Sequence, residues 1–187
     1  MDDQRQRRLQ SALERCARGE SSSFAEIVEE HQAMVFSIGL HYLQDRSLAE
    51  DVAQDVFLEL YQRIGNIESA EHLTYWLRRV TVNRCIDQGR RRKRRSENPL
   101  EESPEPVDSR GPADPLLLGQ LADSLANLGE KQRMMVVLRY QEDLGPAEIA
   151  EVMQIPVNTV KSTLHRTLEE LRKKLTRRLG EVRYALF

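Results

Sequence analysis

Five of the seven prolines in this chain of 187 residues fall between positions 99 and 115: Pro99, Pro104, Pro106, Pro112 and Pro115. Proline has no amide hydrogen, so it interrupts helices and removes a bond from any strand ladder. The 96–115 stretch around these prolines holds almost no apolar side chain and so has nothing to bury. It predicts an extended, solvated, flexible linker. Its 20 residues reach at most about 66 Å and span about 25 Å on average. Everything else must fold on one side of it or the other, in modules of about 95 and about 70 residues.

Within those modules apolar residues recur at helical spacing, and no strand-like alternation runs longer than a few residues. Phe24, Ile27, Val28, Val35, Ile38 and Leu43 mark one helix, with Ser23 or a neighbouring serine as N-cap and Glu26 completing a capping box. Leu48, Val52, Val56, Leu60 and Ile64 form a stripe on a second, with Ser47 as cap and Gly65 and Asn66 as its stop. A third helix runs over about 70–94. Beyond the linker, 116–128, 130–140, 146–153 and 156–178 read as further helices. The last two have proline at or near the first helical position, where its missing N–H costs nothing. The expected fold is all-α: an N-terminal extension over 1–23, a small helical bundle over 24–95, the linker over 96–115, and a second helical domain over 116–179.

Composition narrows the function classes. No run approaches the roughly 18 uncharged apolar residues that a bilayer crossing needs, so direct membrane insertion is not expected. The first 18 residues are charged throughout and lack the apolar stretch of a secretory signal. Cys16 and Cys85 are too few for a disulfide scaffold or a four-ligand zinc site, and the four histidines have no ligand spacing, so neither metal nor cofactor is expected. A reducing cytoplasm is the expected compartment. The net charge of −2 hides a strong sorting. Residues 24–71 carry ten acids against two bases, 72–95 nine bases against one acid, 96–115 six acids against one base, and 156–179 seven bases against two acids. Two short basic surfaces on an acidic protein call for a polyanion as one partner and a basic protein as another.

The C-terminal segment accounts for one basic surface. A short helix over 146–153, with Ile149, Ala150 and Met153 inward, is followed by a tight connection at 154–156. A longer helix then carries Val160, Leu164, Leu168, Leu171 and Leu175 inward, and the small Ala150 lets the two cross closely. This is the pattern of a helix-turn-helix, whose second helix enters the major groove with its first turns leading. Asn158, Thr159, Lys161, Ser162, His165 and Arg166 stand outward there. Their amide and guanidinium groups suit base edges, and their hydroxyls and ammonium suit phosphates.

The other basic surface is 72–95. Arg79, Asn83 and Asp87 line up beside Trp76 and lead into the run Arg90-Arg91-Arg92-Lys93-Arg94-Arg95. Such a strip suits a nucleic-acid backbone, with Asn83 able to reach a base. Leu73, Trp76, Leu77 and Val80 share one face, and Val82, Cys85 and Ile86 share roughly the opposite one. The helix is therefore sandwiched or bent, and Trp76 is a core residue or a stacking platform; the sequence allows either. The run 92–95 also reads as an unstructured arm that binds any polyanion. On the second helix Asp51, Gln54, Asp55 and Glu59 share the outer face. No cleft, histidine partner or glycine-rich phosphate loop accompanies these carboxylates, so an enzyme is not expected. The stripe reads as a docking face for a basic protein.

Three segments together resemble the best-marked parts of one family. They are Ala49-Glu50-Asp51-Val52-Ala53-Gln54-Asp55-Val56-Phe57-Leu58, then Tyr75-Trp76-Leu77-Arg78-Arg79-Val80-Thr81-Val82-Asn83-Arg84-Cys85-Ile86-Asp87, then Ile155-Pro156-Val157-Asn158-Thr159-Val160-Lys161-Ser162-Thr163-Leu164-His165-Arg166. In kind and order they are similar to those of the bacterial extracytoplasmic-function (ECF) sigma factors of the sigma-70 family. The resemblance implies an alternative sigma factor that binds core RNA polymerase and directs promoter recognition, DNA melting and transcription initiation. The first module is then region 2, with Asp51, Gln54, Asp55 and Glu59 docked on a coiled coil of the polymerase β′ subunit. The loop 65–71 and the basic helix, through Trp76, Arg78, Arg79, Asn83, Arg84, Asp87, Arg90 and Arg91, would hold the non-template strand of the minus-ten element with one base out of the stack. The second module is region 4, reading the minus-thirty-five element through Asn158, Thr159, Lys161, Ser162, His165 and Arg166. An anti-sigma factor, often membrane-bound, is a further implied partner. Two other readings compete. A self-sufficient operator-binding dimer leaves 50–57 and 75–87 unexplained, and a nuclease-like enzyme lacks a catalytic cluster.

Overall fold

A computed structural model describes the backbone of residues 3–96, 124–125 and 127–185, and the side chains of 4–94, 124–125, 127–174 and 176. The described residues are helical with no strand, and the chain divides into two compact units, Met1–Val107 and Asp108–Phe187. The expected linker, apart from Ser96, and most of the expected helix 116–128 lie outside the described residues.

The first unit holds α1 (Asp3–Ala17), α2 (Ser22–Leu43), α3 (Arg46–Arg63) and α4 (Ala70–Ser96), with a 3-10 turn at Ile64–Asn66 between the last two. The middle of each predicted stripe forms its core, where Ile27, Val35 and Ile38 of α2 and Val52, Val56 and Leu60 of α3 are all buried, while Phe24, Val28, Leu48 and Ile64 are half-buried and Ile64 belongs to the 3-10 turn. Small residues set the spacing. A Cβ on Gly39 would stand 3.3 Å from the Cβ of Ala49, so α2 and α3 cross where neither carries a longer side chain.

In α4 the two-faced pattern resolves into one buried line, Ala70, Leu73, Leu77, Thr81 and Cys85, with Val82 beside it. Thr81 is the link that apolar periodicity misses. Its hydroxyl donates to the Leu77 carbonyl at 2.7 Å, so it enters the core satisfied. The helix is sandwiched, touching α1, α2 and α3. Trp76 and Val80 are only half-buried. The basic run stays helical through Ser96, and Arg92 folds back to donate to the Leu43 carbonyl at 3.1 Å. A cation there satisfies an orphan carbonyl at the end of α2 and suits its dipole.

Two caps differ from expectation. Asp45, not Ser47, caps α3: its backbone is extended, and its carboxylate accepts the Leu48 amide at 3.0 Å, while Ser47 already lies in the first turn. On α2 the cap residue is a neighbouring serine, Ser21, as the sequence allows, but it makes no side-chain bond and the Ser23–Glu26 box does not form. Arg15 of α1 occupies both partners. Its Nε donates to Ser23 Oγ at 2.8 Å and its Nη2 to the two Glu26 oxygens at 2.6 and 2.7 Å.

The second unit holds α5 (Glu130–Tyr140), α6 (Pro146–Met153) and α7 (Val157–Ala185) around a core that includes Met134, Leu138, Leu144, Ile149 and Val160. Gly129 and Gly145 precede α5 and α6. Their amides are taken by Gln132 Oε1 at 3.1 Å and Glu148 Oε2 at 2.7 Å. Ile149 and Ala150 are buried as expected, but Val152 fills the place assigned to Met153, which is half-buried. On α7 the buried line is Val160, Leu164, Thr167 and Leu171. Thr167 takes the slot expected for Leu168, which is half-buried, because the line steps by three there. The side chain of Leu175 lies outside the described residues.

Candidate functional site

The turn that aims α7 closes on Gln154, whose φ of 54° is left-handed. The amide of Gln154 bonds the Glu151 carbonyl at 3.2 Å and that of Ile155 the Ala150 carbonyl at 3.0 Å. This pair of bonds ends α6 abruptly and turns the chain into α7. All six expected residues, Asn158, Thr159, Lys161, Ser162, His165 and Arg166, are exposed on the first turns of α7. Several rest on their own helix. Ser162 Oγ donates to the Thr159 carbonyl and Arg166 Nε to the Ser162 carbonyl, each at 3.2 Å, and His165 Nε2 lies 3.8 Å from Glu169. Val157, 37% exposed at the leading turn, adds an apolar group that a search for polar readers passes over.

In the first unit the expected α4 residues separate into two groups. Asn83, Asp87, Arg90 and Arg91 are exposed, with Arg79 and Trp76 half-buried upstream of them. Arg90 pairs with Asp87 at 3.9 Å. Arg78 is half-buried and its Nε is buried without a hydrogen-bond partner. Arg84 points instead to α3: its Nη2 donates to Glu59 Oε2 at 2.8 Å and its Nη1 lies 3.7 Å from Asp55. The Glu59 hydrogen bond raises the already high pKa of this guanidinium.

On α3, Asp51, Gln54 and Asp55 are exposed as expected. Glu59 is not, with its side chain 18% exposed between Arg84 and Arg63. The same helix exposes Leu58 and Tyr61 at 56% and 55%. Neither belongs to the Leu48–Ile64 stripe or to the polar set on the outer face, so the sequence pattern gives them no place. Tyr61 is braced edge-on by Phe24, ring centroids 5.2 Å apart.

The turn before α4 is held by a reciprocal pair. Ser69 Oγ accepts the His72 amide at 3.1 Å, and His72 Nδ1 accepts the Glu68 amide at 3.3 Å. Gly65, Asn66 and Glu68 stay exposed. Burial pushes the Cys85 thiol up to about 12, and burial likewise raises Cys16, so both thiols are protonated at neutral pH. Among the described residues no three His, Cys, Asp or Glu side chains gather to hold a metal ion, and no helix is long and apolar enough to cross a membrane.

A helix-turn-helix in one unit and a bundle with an exposed basic helix in the other are the architecture of a bipartite DNA-binding protein. Comparison with known proteins makes this specific. Residues 27–95 match the family Sigma-70 region 2, and residues 118–171 match Sigma-70, region 4. The chain is 36% identical over 163 residues to an RNA polymerase sigma-E factor of Streptomyces coelicolor, covering 86% of this chain and 90% of that one. It is 28% identical over 180 residues to the ECF RNA polymerase sigma factor SigW of Bacillus subtilis, covering 89% and 96%. In fold it is similar to CnrH, solved in complex with the cytosolic domain of CnrY, at a TM-score of 0.66 and 21% identity over 93% of this chain and 98% of that one. It is also similar to the sigma factor RpoE solved with the anti-sigma factor NepR from Bartonella quintana, at 0.67 and 20% over 82% and 96%. The chain belongs to the sigma-70 family, in its extracytoplasmic-function branch. It is a sigma factor, which binds core RNA polymerase and directs it to promoters for transcription initiation.

Proposed function

We propose that the two units divide promoter recognition between them, and that the chain has no catalytic activity of its own and works in the cytoplasm. The α3 face, with Asp51, Gln54 and Asp55 joined by Leu58 and Tyr61, docks on the β′ coiled coil of the polymerase. The α4 strip of Trp76, Arg79, Asn83, Asp87, Arg90 and Arg91, with the loop 65–71, takes the non-template strand of the minus-ten element. Arg78, Arg84 and Glu59 contribute mainly by holding that helix in place. The leading turns of α7 read the minus-thirty-five element, with Val157 placed to meet a thymine methyl. Residues 24–95 and 116–179 are the working modules, and 96–115 is their tether. Tethering two weak DNA readers to one polymerase raises the effective concentration of each, so neither needs high affinity alone. An anti-sigma factor is a fitting partner, because the similar RpoE was solved bound to one.

The observation that carries this reading is α7: six polar side chains stand exposed at its start while Val160, Leu164, Thr167 and Leu171 close the core behind them. The test uses two variants in transcription with core polymerase. Asp51→Arg reverses an exposed carboxylate and abolishes polymerase binding with helicity intact. Lys161→Ala with Arg166→Ala impairs minus-thirty-five recognition and spares polymerase binding. Wild-type transcription by both would remove the residue assignments.

A further inference from the structure

We propose that α1 positions the turn in front of α4, with Gln10 as the positioning residue, and so sets the base selectivity of that turn. The inference rests on the reading that 65–71 and α4 receive the minus-ten strand.

It begins with the four amides that any helix start leaves without an intrahelical partner. Three of the amides at the start of α4 have identified partners. Leu73 N–H bonds the Ser69 carbonyl at 2.9 Å and His72 N–H bonds Ser69 Oγ at 3.1 Å. Both partners are local. Ala70 N–H is different: it donates to Oε1 of Gln10, 60 positions earlier in the chain, at 3.1 Å. Ala70 is 2% exposed, so water cannot readily take over that bond. One turn earlier on α1, Gln6 donates to Glu71 at 2.8 Å. Gln10 also donates from Nε2 to Glu14 at 3.3 Å, which fixes which end of its amide faces Ala70. Gln6, Gln10 and Glu14 form one i, i+4 line.

The anchorage of α1 is firm elsewhere. Leu9, Ala12 and Leu13 are buried, Arg5 pairs with Glu30, and Arg15 grips Ser23 and Glu26 of α2. The helix also touches the 3-10 turn Ile64–Asn66. The turn is thus backed by α1 on one side, while Gly65, Asn66 and Glu68 remain open to solvent. A rigid back and an open front suit a pocket that must tell one extruded base from another, because discrimination needs its groups held to a fraction of an ångström.

The test uses the full chain with cognate core polymerase and a template library randomised at both promoter elements, with transcripts sequenced. Gln10→Ala is expected to lower base preference at one minus-ten position about fivefold, the loss of one good base contact. Minus-thirty-five preference and polymerase binding stay as in wild type. Gln10→Glu with Glu14→Gln keeps an acceptor for Ala70 and a donor within the 10–14 pair, and restores the preference. Gln6→Ala, at an exposed bond, gives a smaller loss at the same position. An unchanged minus-ten profile in Gln10→Ala overturns the proposal. So does an even drop in transcription without a change in preference, or a swap that restores nothing. If wild type itself enriches no minus-ten motif, the underlying reading of the loop fails instead.

Discussion

The tie between Arg84 and Glu59 separates a residue that builds the bundle from one that touches DNA, and it can be measured. Arg84 donates to Glu59 at 2.8 Å, and Arg63 approaches the other carboxylate oxygen at 3.3 Å. The side chain of Glu59 is 18% exposed and that of Arg84 44%. A fully exposed pair contributes about 0.2–1 kcal/mol, whereas stripping one partner from a fully buried pair costs about 3–5 kcal/mol. The exposure of Arg84 admits solvent screening, so the value belongs near the lower range: a coupling of about 1 kcal/mol in a double-mutant cycle of Arg84→Ala and Glu59→Gln. The singles should differ. Arg84→Ala leaves a largely enclosed carboxylate with Arg63 alone, while Glu59→Gln keeps an acceptor and leaves Arg84 near Asp55 and water, so the first costs more. Urea unfolding followed through Trp76, the one tryptophan of the chain, reports on this unit. The coupling should shrink, but not vanish, in high salt. A coupling below about 0.3 kcal/mol, or unchanged stability in Arg84→Ala with loss of minus-ten use, would return Arg84 to the DNA face.

Two further outcomes are expected. Thr167 is 1% exposed and its hydroxyl has no hydrogen-bond partner among the described residues, so Thr167→Val should stabilise the second unit by about 1 kcal/mol. Amide hydrogen exchange across α5–α7 reads this, and a destabilised variant would mean that the hydroxyl is bonded. His31 is buried, its Nδ1 3.1 Å from the Ile27 carbonyl and its Nε2 3.2 Å from Thr74 Oγ1. Burial holds its pKa below the ordinary value against the Ile27 carbonyl hydrogen bond and the neighbouring Glu30, with Arg5 and Arg78 acting in the same direction as burial. The unfolded chain takes the proton near pH ~6.5 and the folded one resists it, so stability is full above that pH and declines below it. Trp76-monitored melts between pH ~5.5 and ~7.5 should show this, and His31→Gln should flatten the dependence; equal slopes would refute it.

The central stripes of α2 and α3 and the outline of the helix-turn-helix were legible because each buries a mostly apolar line of near-regular period, although Val152 and Thr167 replace Met153 and Leu168 in it. What escaped is polar or sparse. Thr81 and Thr167 complete buried lines that a hydrophobic count breaks at those positions. Asp45 outcompetes Ser47 because the chain is still extended one residue before α3, a backbone fact that side-chain type does not reveal. α1 shows only Leu9, Ala12 and Leu13 among charges, too narrow a seam to read as a helix against a core. The exposed Leu58 and Tyr61 fall off the α3 stripe, and a search of the outer face for charged and polar side chains does not register an apolar group there.

Charge blocks need a related correction. A run of like charge in a sequence sets an upper bound on the charge displayed, because folding can lay one block against another. Here the acidic α3 and the basic α4 run antiparallel across a short turn, and their seam joins Asp45 to Arg92 at 3.8 Å, Asp55 to Arg84 at 3.7 Å and Glu59 to Arg84 at 2.8 Å. Arg46 takes Glu50 at 2.9 Å along α3 itself. Among the described residues Asp51 has no part in these pairs. The outer face of α3 is therefore less a negative field than a mixed patch: Asp51, half-engaged Asp55, Gln54, and the exposed Leu58 and Tyr61. Buried interface cores are enriched in aromatic and apolar side chains and depleted of charge. In the proposed docking, the two exposed apolar residues would supply most of the affinity for the polymerase and the carboxylates orientation and the rate of encounter, so Asp51→Arg would break the contact by setting a repulsive charge against the basic partner rather than by removing an attractive one.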